Sequence, residues 1–164
     1  MECYANPALN RATWGRGPWD REPDKLSWTD EATELPCLIV RRELGALCGY
    51  VAVGPDHPLH GRDYDDPDVS VHGGLTYSAG CREDEPIERA VCHVPEPGQP
   101  ADVWWFGFDM AHAYDAVPAM GALYRELGVG YPSWISCPDT TYKTVEYVMH
   151  QCAQLAQQLH AMGA

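Results

Sequence analysis

Two apolar, β-prone runs on either side of a short turn occupy residues 35–53. The first run is Leu-Pro-Cys-Leu-Ile-Val-Arg, and the second is Ala-Leu-Cys-Gly-Tyr-Val-Ala-Val. Between them lies Glu43-Leu44-Gly45, and a short glycine-containing turn between β-prone runs is typical of a hairpin. We therefore predict an antiparallel pair of strands here.

Three further segments have strand character. Val69–Ser78 carries the Gly73-Gly74 pair in its middle, which indicates a bulge or a close approach of the backbone to another group. Val103–Phe108 is almost continuously apolar, so we predict a central strand covered on both faces. The short run Ala90–Val94 predicts an edge strand, and the Pro-, Gly- and Asp-rich residues 54–68 predict a loop.

Helical spacing of apolar residues is clearest near the C-terminal end. The apolar stripe begins after a predicted N-cap at Asp139 or Thr140 and ends at Gly163; its members are Tyr142, Val145, Cys152, Leu155 and Leu159. A shorter helix is predicted over residues 119–127. Together these elements predict an α+β fold, in which a mainly antiparallel sheet of about four to five strands is packed by a C-terminal helix.

The length of 164 residues suits one domain, which we place at residues 35–164. Residues 1–34 show no sustained periodicity and predict an irregular, Trp-rich N-terminal arm. Because large exposed apolar patches are rare in soluble proteins, we expect Trp14, Trp19 and Trp28 to fix this arm to the body of the domain.

The net charge of -13, with only 11 basic residues, disfavours binding to duplex nucleic acid. Such binding needs clustered Lys and Arg to displace counterions from phosphates, and the only adjacent basic pair is Arg41-Arg42. An acidic surface fits a basic protein partner or a small-molecule ligand better.

The seven cysteines are odd in number and contain no C-x-x-C pair, so we expect reduced thiols. The sequence shows no signal-peptide pattern and no apolar run near the ~20 residues that span a bilayer. These features predict a cytoplasmic protein that does not enter the membrane.

Polar side chains suited to metal binding are concentrated in three segments, residues 57–66, 72–77 and 108–115. If the three segments meet at one sheet edge, His72, Asp109 and His112 could hold a divalent metal such as zinc, with water as a fourth ligand. Asp115 or Asp65 would then orient a histidine or act as the catalytic base.

Other roles for these residues stay open. Asp109 follows a strand and precedes a turn, so it could simply cap backbone N–H groups, and His72 could be a packed histidine. Ligand contacts are predicted at Tyr77 and Trp105 through stacking, and at Gly73 and Gly74 through close backbone approach. A cysteine nucleophile at Cys92 is disfavoured, because His93 would point to the opposite face of a strand.

Several phrases together resemble a family of uncharacterised small proteins that is frequent in phage, prophage and bacterial genomes. The resemblance covers about residues 18 to 160, and its phrases are Glu22-Pro-Asp-Lys, Leu35-Pro-Cys-Leu, Cys48-Gly-Tyr-Val, His57-Pro with Asp63-Tyr-Asp-Asp, Val71-His-Gly-Gly-Leu-Thr-Tyr, Cys92-His-Val-Pro, and Trp105-Phe-Gly-Phe-Asp through His112. The resemblance implies a phage or prophage setting, in the cytoplasm of a bacterial host cell, and no particular activity. Met110 and Tyr114 stand where members often carry Cys and Gly, and the departure at Met110 argues against a shared mechanism that needs a thiolate there.

Two functions follow as hypotheses. The first is a metal-dependent hydrolase acting on a small, nucleotide-like substrate through His72, Asp109 and His112. The second is a non-catalytic accessory protein that sequesters a small molecule or inhibits a host protein.

Overall fold

A computed structural model describes residues 1–164 as one six-stranded sheet with two α-helices. The strands are β1 (Glu2–Tyr4), β2 (Lys25–Thr29), β3 (Pro36–Arg41), β4 (Leu47–Val53), β5 (Tyr77–Gly80) and β6 (Trp104–Asp109), and the helices are α1 (Met120–Leu127) and α2 (Val145–Gly163). The strand order is β1-β2-β3-β4-β6-β5, and every neighbouring pair is antiparallel. The predicted α+β class is confirmed, with six strands in place of four to five.

The predicted hairpin is the pair β3 and β4, with Arg41 opposite Leu47 beside the turn. β6 pairs with β4 on one side and β5 on the other, so it lies inside the sheet as its apolar sequence predicts. Residues 104–109 alternate between the faces, which places Trp104 against the core on one face and Trp105 in the core on the other.

The sheet has two covered faces. On the helix face, α2 packs against alternate strand residues, and this core includes Ile39, Val51, Phe106, Cys152 and Leu155. On the loop face, the segment 81–103 covers the other strand residues, and this core includes Leu38, Tyr50, Val91, Val103 and Trp105. Burying both faces of the central strands explains their nearly continuous apolar sequences.

The C-terminal helix begins later than predicted. Thr144 is its N-cap, and the Thr144 hydroxyl accepts a hydrogen bond of 3.3 Å from the backbone N–H of Tyr147. Neither Asp139 nor Thr140 serves as the cap, because residues 137–144 remain non-helical. The end at Gly163 and the shorter helix α1 agree with the prediction.

The prediction of an irregular N-terminal arm is wrong in part, because β1 and β2 extend the sheet beyond β3. These strands are only three and five residues long, too short for their alternation to stand out in the sequence. The three tryptophans fix the segment as predicted: Trp14 is buried, Trp28 packs against the helix-face core, and the Trp19 ring meets the Tyr142 ring edge-on at 5.1 Å.

The predicted strand over residues 69–78 is also wrong, since only Tyr77–Gly80 is extended and paired. Gly73 and Gly74 have φ angles of 69° and 82° and form a turn rather than a bulge. This turn lies against α2, where the Gln151 side-chain oxygen accepts a 2.9 Å hydrogen bond from the His72 backbone N–H.

Residues 90–94 are not an edge strand. Their carbonyl groups instead serve a buried lysine: the Lys25 ammonium donates hydrogen bonds to the carbonyls of Ala90 (2.9 Å) and Cys92 (2.8 Å), and to that of Ile87 (2.6 Å). The Lys25 side chain therefore holds the covering segment of the loop face against β2.

A disulfide joins Cys81 to Cys92, whose Cα atoms are 4.7 Å apart. The expectation of reduced thiols is therefore wrong for this pair, while the other five cysteines are free. The odd cysteine count concealed the pair, because a single bridge among seven cysteines leaves no recognisable spacing. The bridge closes residues 82–91 into a loop over the loop face. None of the helices is both long enough and apolar enough to cross a membrane.

Candidate functional site: a histidine–aspartate cluster beside a cavity

Two of the three polar segments meet around the buried carboxylate of Asp115. This side chain accepts hydrogen bonds from His72 Nε2 at 2.8 Å and from the His112 backbone N–H at 3.0 Å, and Lys143 Nζ lies 3.2 Å from its second oxygen. Because Asp115 is only 2% exposed, these contacts replace the water that an ionised carboxylate would otherwise bind. The cluster ties the turn before β5 and the segment after β6 to Lys143, just before α2.

Both ring nitrogens of His72 have partners. Nε2 lies 2.8 Å from an Asp115 oxygen, and Nδ1 lies 3.0 Å from the Tyr147 hydroxyl oxygen. Tyr147 lies on the first turn of α2. The imidazole is therefore held between a carboxylate and a phenol.

His112 and Asp109 lie next to this pair. His112 Nε2 is 3.5 Å from Asp109 Oδ1 and forms no hydrogen bond, and the His72 and His112 ring centroids are 5.8 Å apart. Gly73 makes room for the ring, because a Cβ there would lie 2.0 Å from His112 Nε2. Asp109 also accepts hydrogen bonds from the Ala111 backbone N–H and the Thr76 hydroxyl, both at 3.0 Å, so the capping role is present.

No group of three or more His, Cys, Asp or Glu side chains is arranged to hold a metal ion. The zinc site at His72, Asp109 and His112 stays a prediction. The alternative base, Asp65, is exposed in the loop before the turn, and its side chain forms no hydrogen bond or ion pair with the cluster.

The predicted ligand-contact residues are divided between different places. Trp105 is fully buried and packs edge-on against His93, with ring centroids 5.4 Å apart, so it has no free surface for stacking. Tyr77 packs edge-on against Tyr50 at 5.3 Å on the loop face. Gly73 and Gly74 lie in the turn by His112, and the space next to Gly74 is open.

A cavity of about 630 Å³ lies on the loop face, beside Asp109 and Cys48. The β3–β4 turn, the segment after β6, the N-terminal residues 6–9 and the loop 82–91 form its walls. Its charged lining residues are Arg41, Arg42, Glu43, Glu85, Arg89 and Asp109, and its apolar ones include Leu9, Leu44, Ala46, Val117 and Met120. Volumes of 300–1,000 Å³ are usual for small-molecule sites, so the size fits a ligand.

The β3–β4 turn, which forms one wall of the cavity, is closely packed. Gly45 has a φ of 99°, and a Cβ at Gly45 would lie 2.6 Å from the Pro118 side chain. The Leu44 carbonyl accepts a 2.9 Å hydrogen bond from the Ala119 N–H. The β3–β4 turn is therefore anchored to the residues that lead into α1, which fixes the cavity wall.

Arg42 is the central feature of what we call the Arg42 cavity. Its guanidinium donates a hydrogen bond to the Tyr50 hydroxyl and forms no salt bridge with any carboxylate. Burial raises the pKa of the Cys48 thiol and the pKa of the Tyr50 hydroxyl, so both are neutral at pH 7. Arg42 thus keeps a positive charge in a half-buried place without an anionic partner.

Comparison with protein-family models, curated proteins and solved structures finds no match. The geometry of the site is therefore the basis for any statement about function. The resemblance to phage and prophage proteins stays a prediction. Tyr114 has a φ of 71°, a conformation that favours glycine.

Arg42 and its cavity were missed by sequence reasoning, although the sequence contained a signal. Arg41-Arg42 follows an apolar strand, and neighbours on an extended chain point to opposite faces. Arg41 turns to the carboxylates of Glu22 and Asp24, and Arg42 turns to the loop face. Two cations on opposite faces of the chain need separate anionic partners, and Arg42 forms no salt bridge within the chain.

Proposed function

We propose that the protein is a non-catalytic binder of a small molecule that carries an anionic group on an apolar body, held in the Arg42 cavity. The observation that carries this proposal is the half-buried guanidinium of Arg42, which faces the cavity with neutral partners only. Removing a charge from water is costly unless an opposite charge compensates it, and a bound anion would supply that compensation.

The apolar lining supports the second part of the proposal. Leu44, Val117 and Met120 lie on the wall formed by the β3–β4 turn and the start of α1. A ligand whose anionic group meets Arg42 would place its apolar body against these side chains. Burial of apolar surface contributes roughly 25 cal/mol per Å², while the guanidinium fixes the orientation.

The metal-dependent hydrolase stays a hypothesis drawn from the sequence. In that mechanism His72 would have to give up its hydrogen bond to Asp115 or to Tyr147 before one of its nitrogens could bind a metal. Ligand binding at Arg42 requires no such rearrangement. Sequestration of a small molecule is therefore the hypothesis that the geometry supports better.

Octanoate and octan-1-ol test the proposal, because they share one chain and differ in the charged group. By isothermal titration calorimetry at pH 7, we expect octanoate to bind at least tenfold more tightly than octan-1-ol. A charge-assisted hydrogen bond of about 1.5–3 kcal/mol corresponds to a factor of this size. Arg42→Met should remove the preference and leave weak, equal binding of both compounds.

Arg62→Met is the matched control, since Arg62 is exposed and its side chain makes no hydrogen bond or ion pair. It should bind octanoate like the unaltered protein. Failure of octanoate to bind, or binding that survives Arg42→Met, would refute the proposal. Circular dichroism of each variant establishes that the fold is retained.

A further inference from the structure

We infer that the ligand of the Arg42 cavity is a zwitterion, with a cationic amine that pairs with Asp109 and an anionic group that pairs with Arg42. This inference rests on the proposed function and names the chemical class of the ligand. An α-amino acid with an apolar side chain is the simplest molecule of that class.

The two charged groups line the same cavity. Asp109 pairs with Cys48 across strands β6 and β4, and Arg42 follows β3, the strand on the other side of β4. Arg42, Cys48 and Asp109 all line the cavity. A cation and an anion that line one cavity match the carboxylate and the amine that an α-amino acid carries together.

The Asp109 carboxylate has free lone pairs that can accept from an ammonium group. A carboxylate offers about four lone-pair sites, and Asp109 accepts only from the Ala111 N–H and the Thr76 hydroxyl. The nearby His112 Nε2 makes no hydrogen bond to it. The remaining lone pairs can therefore accept from an ammonium group.

The net negative charge of the protein also favours a zwitterionic ligand. The chain carries a net charge of -13, and Glu43 and Glu85 also line the cavity. This field opposes the approach of a purely anionic ligand, whereas a zwitterion has no net charge for the field to repel. A zwitterion also satisfies Arg42 and Asp109 at once.

Calorimetry with 2-aminooctanoate and octanoate separates the contribution of the amine. We expect 2-aminooctanoate to bind about tenfold more tightly to the unaltered protein. Asp109→Asn should erase this preference while octanoate still binds, because the amide oxygen can accept from the Ala111 N–H and the amide NH2 can donate to the Thr76 hydroxyl oxygen. Glu43→Gln, which removes the same charge from the same cavity, should retain the preference.

Each outcome has a separate meaning. Equal binding of the two compounds, or a preference that persists in Asp109→Asn, would overturn the zwitterion inference while leaving the anion proposal intact. A preference lost equally in Glu43→Gln would also overturn it, since the general field would then account for the effect. Binding of neither compound would instead refute the proposed function itself.

Discussion

Arg41→Met is expected to lower the free energy of unfolding by about 3–5 kcal/mol, the usual cost of breaking a buried ion pair on one side. The Arg41 side chain is fully buried, with Nε 3.0 Å from Asp24 and a terminal nitrogen 3.0 Å from Glu22. It also donates to the Gly45 carbonyl at 3.1 Å and to the Tyr142 hydroxyl at 2.6 Å. Methionine would fill the space but leave Glu22 without a cation and Asp24 with Arg11 alone.

Urea unfolding followed by circular dichroism measures this loss, with Arg16→Met as the control. Arg16 also pairs with an aspartate, Asp20 at 3.4 Å, but its side chain is 94% exposed. Exposed pairs contribute about 0–1 kcal/mol, so the control should stay close to the unaltered protein. Similar losses for the two variants would contradict the structural role assigned to Arg41.

Lys25→Met is expected to lower the free energy of unfolding by about 2–4 kcal/mol and to loosen residues 82–92. The Lys25 ammonium is the shared donor for the carbonyls of Ile87, Ala90 and Cys92, and each buried carbonyl left unpaired costs about 1–3 kcal/mol. Urea unfolding measures the first effect, and amide hydrogen exchange within residues 82–92 measures the second. Arg21→Met, at an exposed residue, is the control. Unchanged amide hydrogen exchange of residues 82–92 in Lys25→Met would contradict the role of Lys25 in holding this loop.

The loss in Lys25→Met should depend on pH. Burial lowers the pKa of Lys25 to about 8 in the folded protein, whereas an unfolded lysine keeps its ordinary value of 10.5. Between these values the unfolded chain binds more protons, so the stability contributed by Lys25 rises with pH. The difference between the unaltered protein and Lys25→Met should therefore grow from pH 8 to pH 10.5.

The elements with long or continuous patterns were predictable from sequence. The hairpin β3–β4, the internal strand β6 and the helix α2 all combine many apolar residues with turn or stop signals. β1, β2 and β5 were not predicted correctly because they are three to five residues long and depend on pairing with distant partners. Gly73-Gly74 indicated an irregularity, and only tertiary contacts determined that it is a turn.

The candidate site was predictable in its residue types but not in its geometry. The sequence indicated that His72, Asp109, His112 and Asp115 lie near strand ends, and the structure brings them together. It could not indicate that Asp115 and Tyr147 occupy both nitrogens of His72, since Tyr147 is 75 residues away. The role of Arg42 depends on a cavity whose walls come from four separate segments. No local sequence pattern encodes such a cavity.

The most direct measurement of the central claim is the NMR signal of the Arg42 side-chain Nε–H group in a ¹⁵N-correlated spectrum, assigned by its loss in Arg42→Met. We predict that this signal shifts saturably when octanoate is added and does not shift with octan-1-ol. The signals of exposed arginines such as Arg16 and Arg62 should stay in place. An unchanged Arg42 signal, or equal shifts at all arginines, would contradict a binding site at the Arg42 cavity.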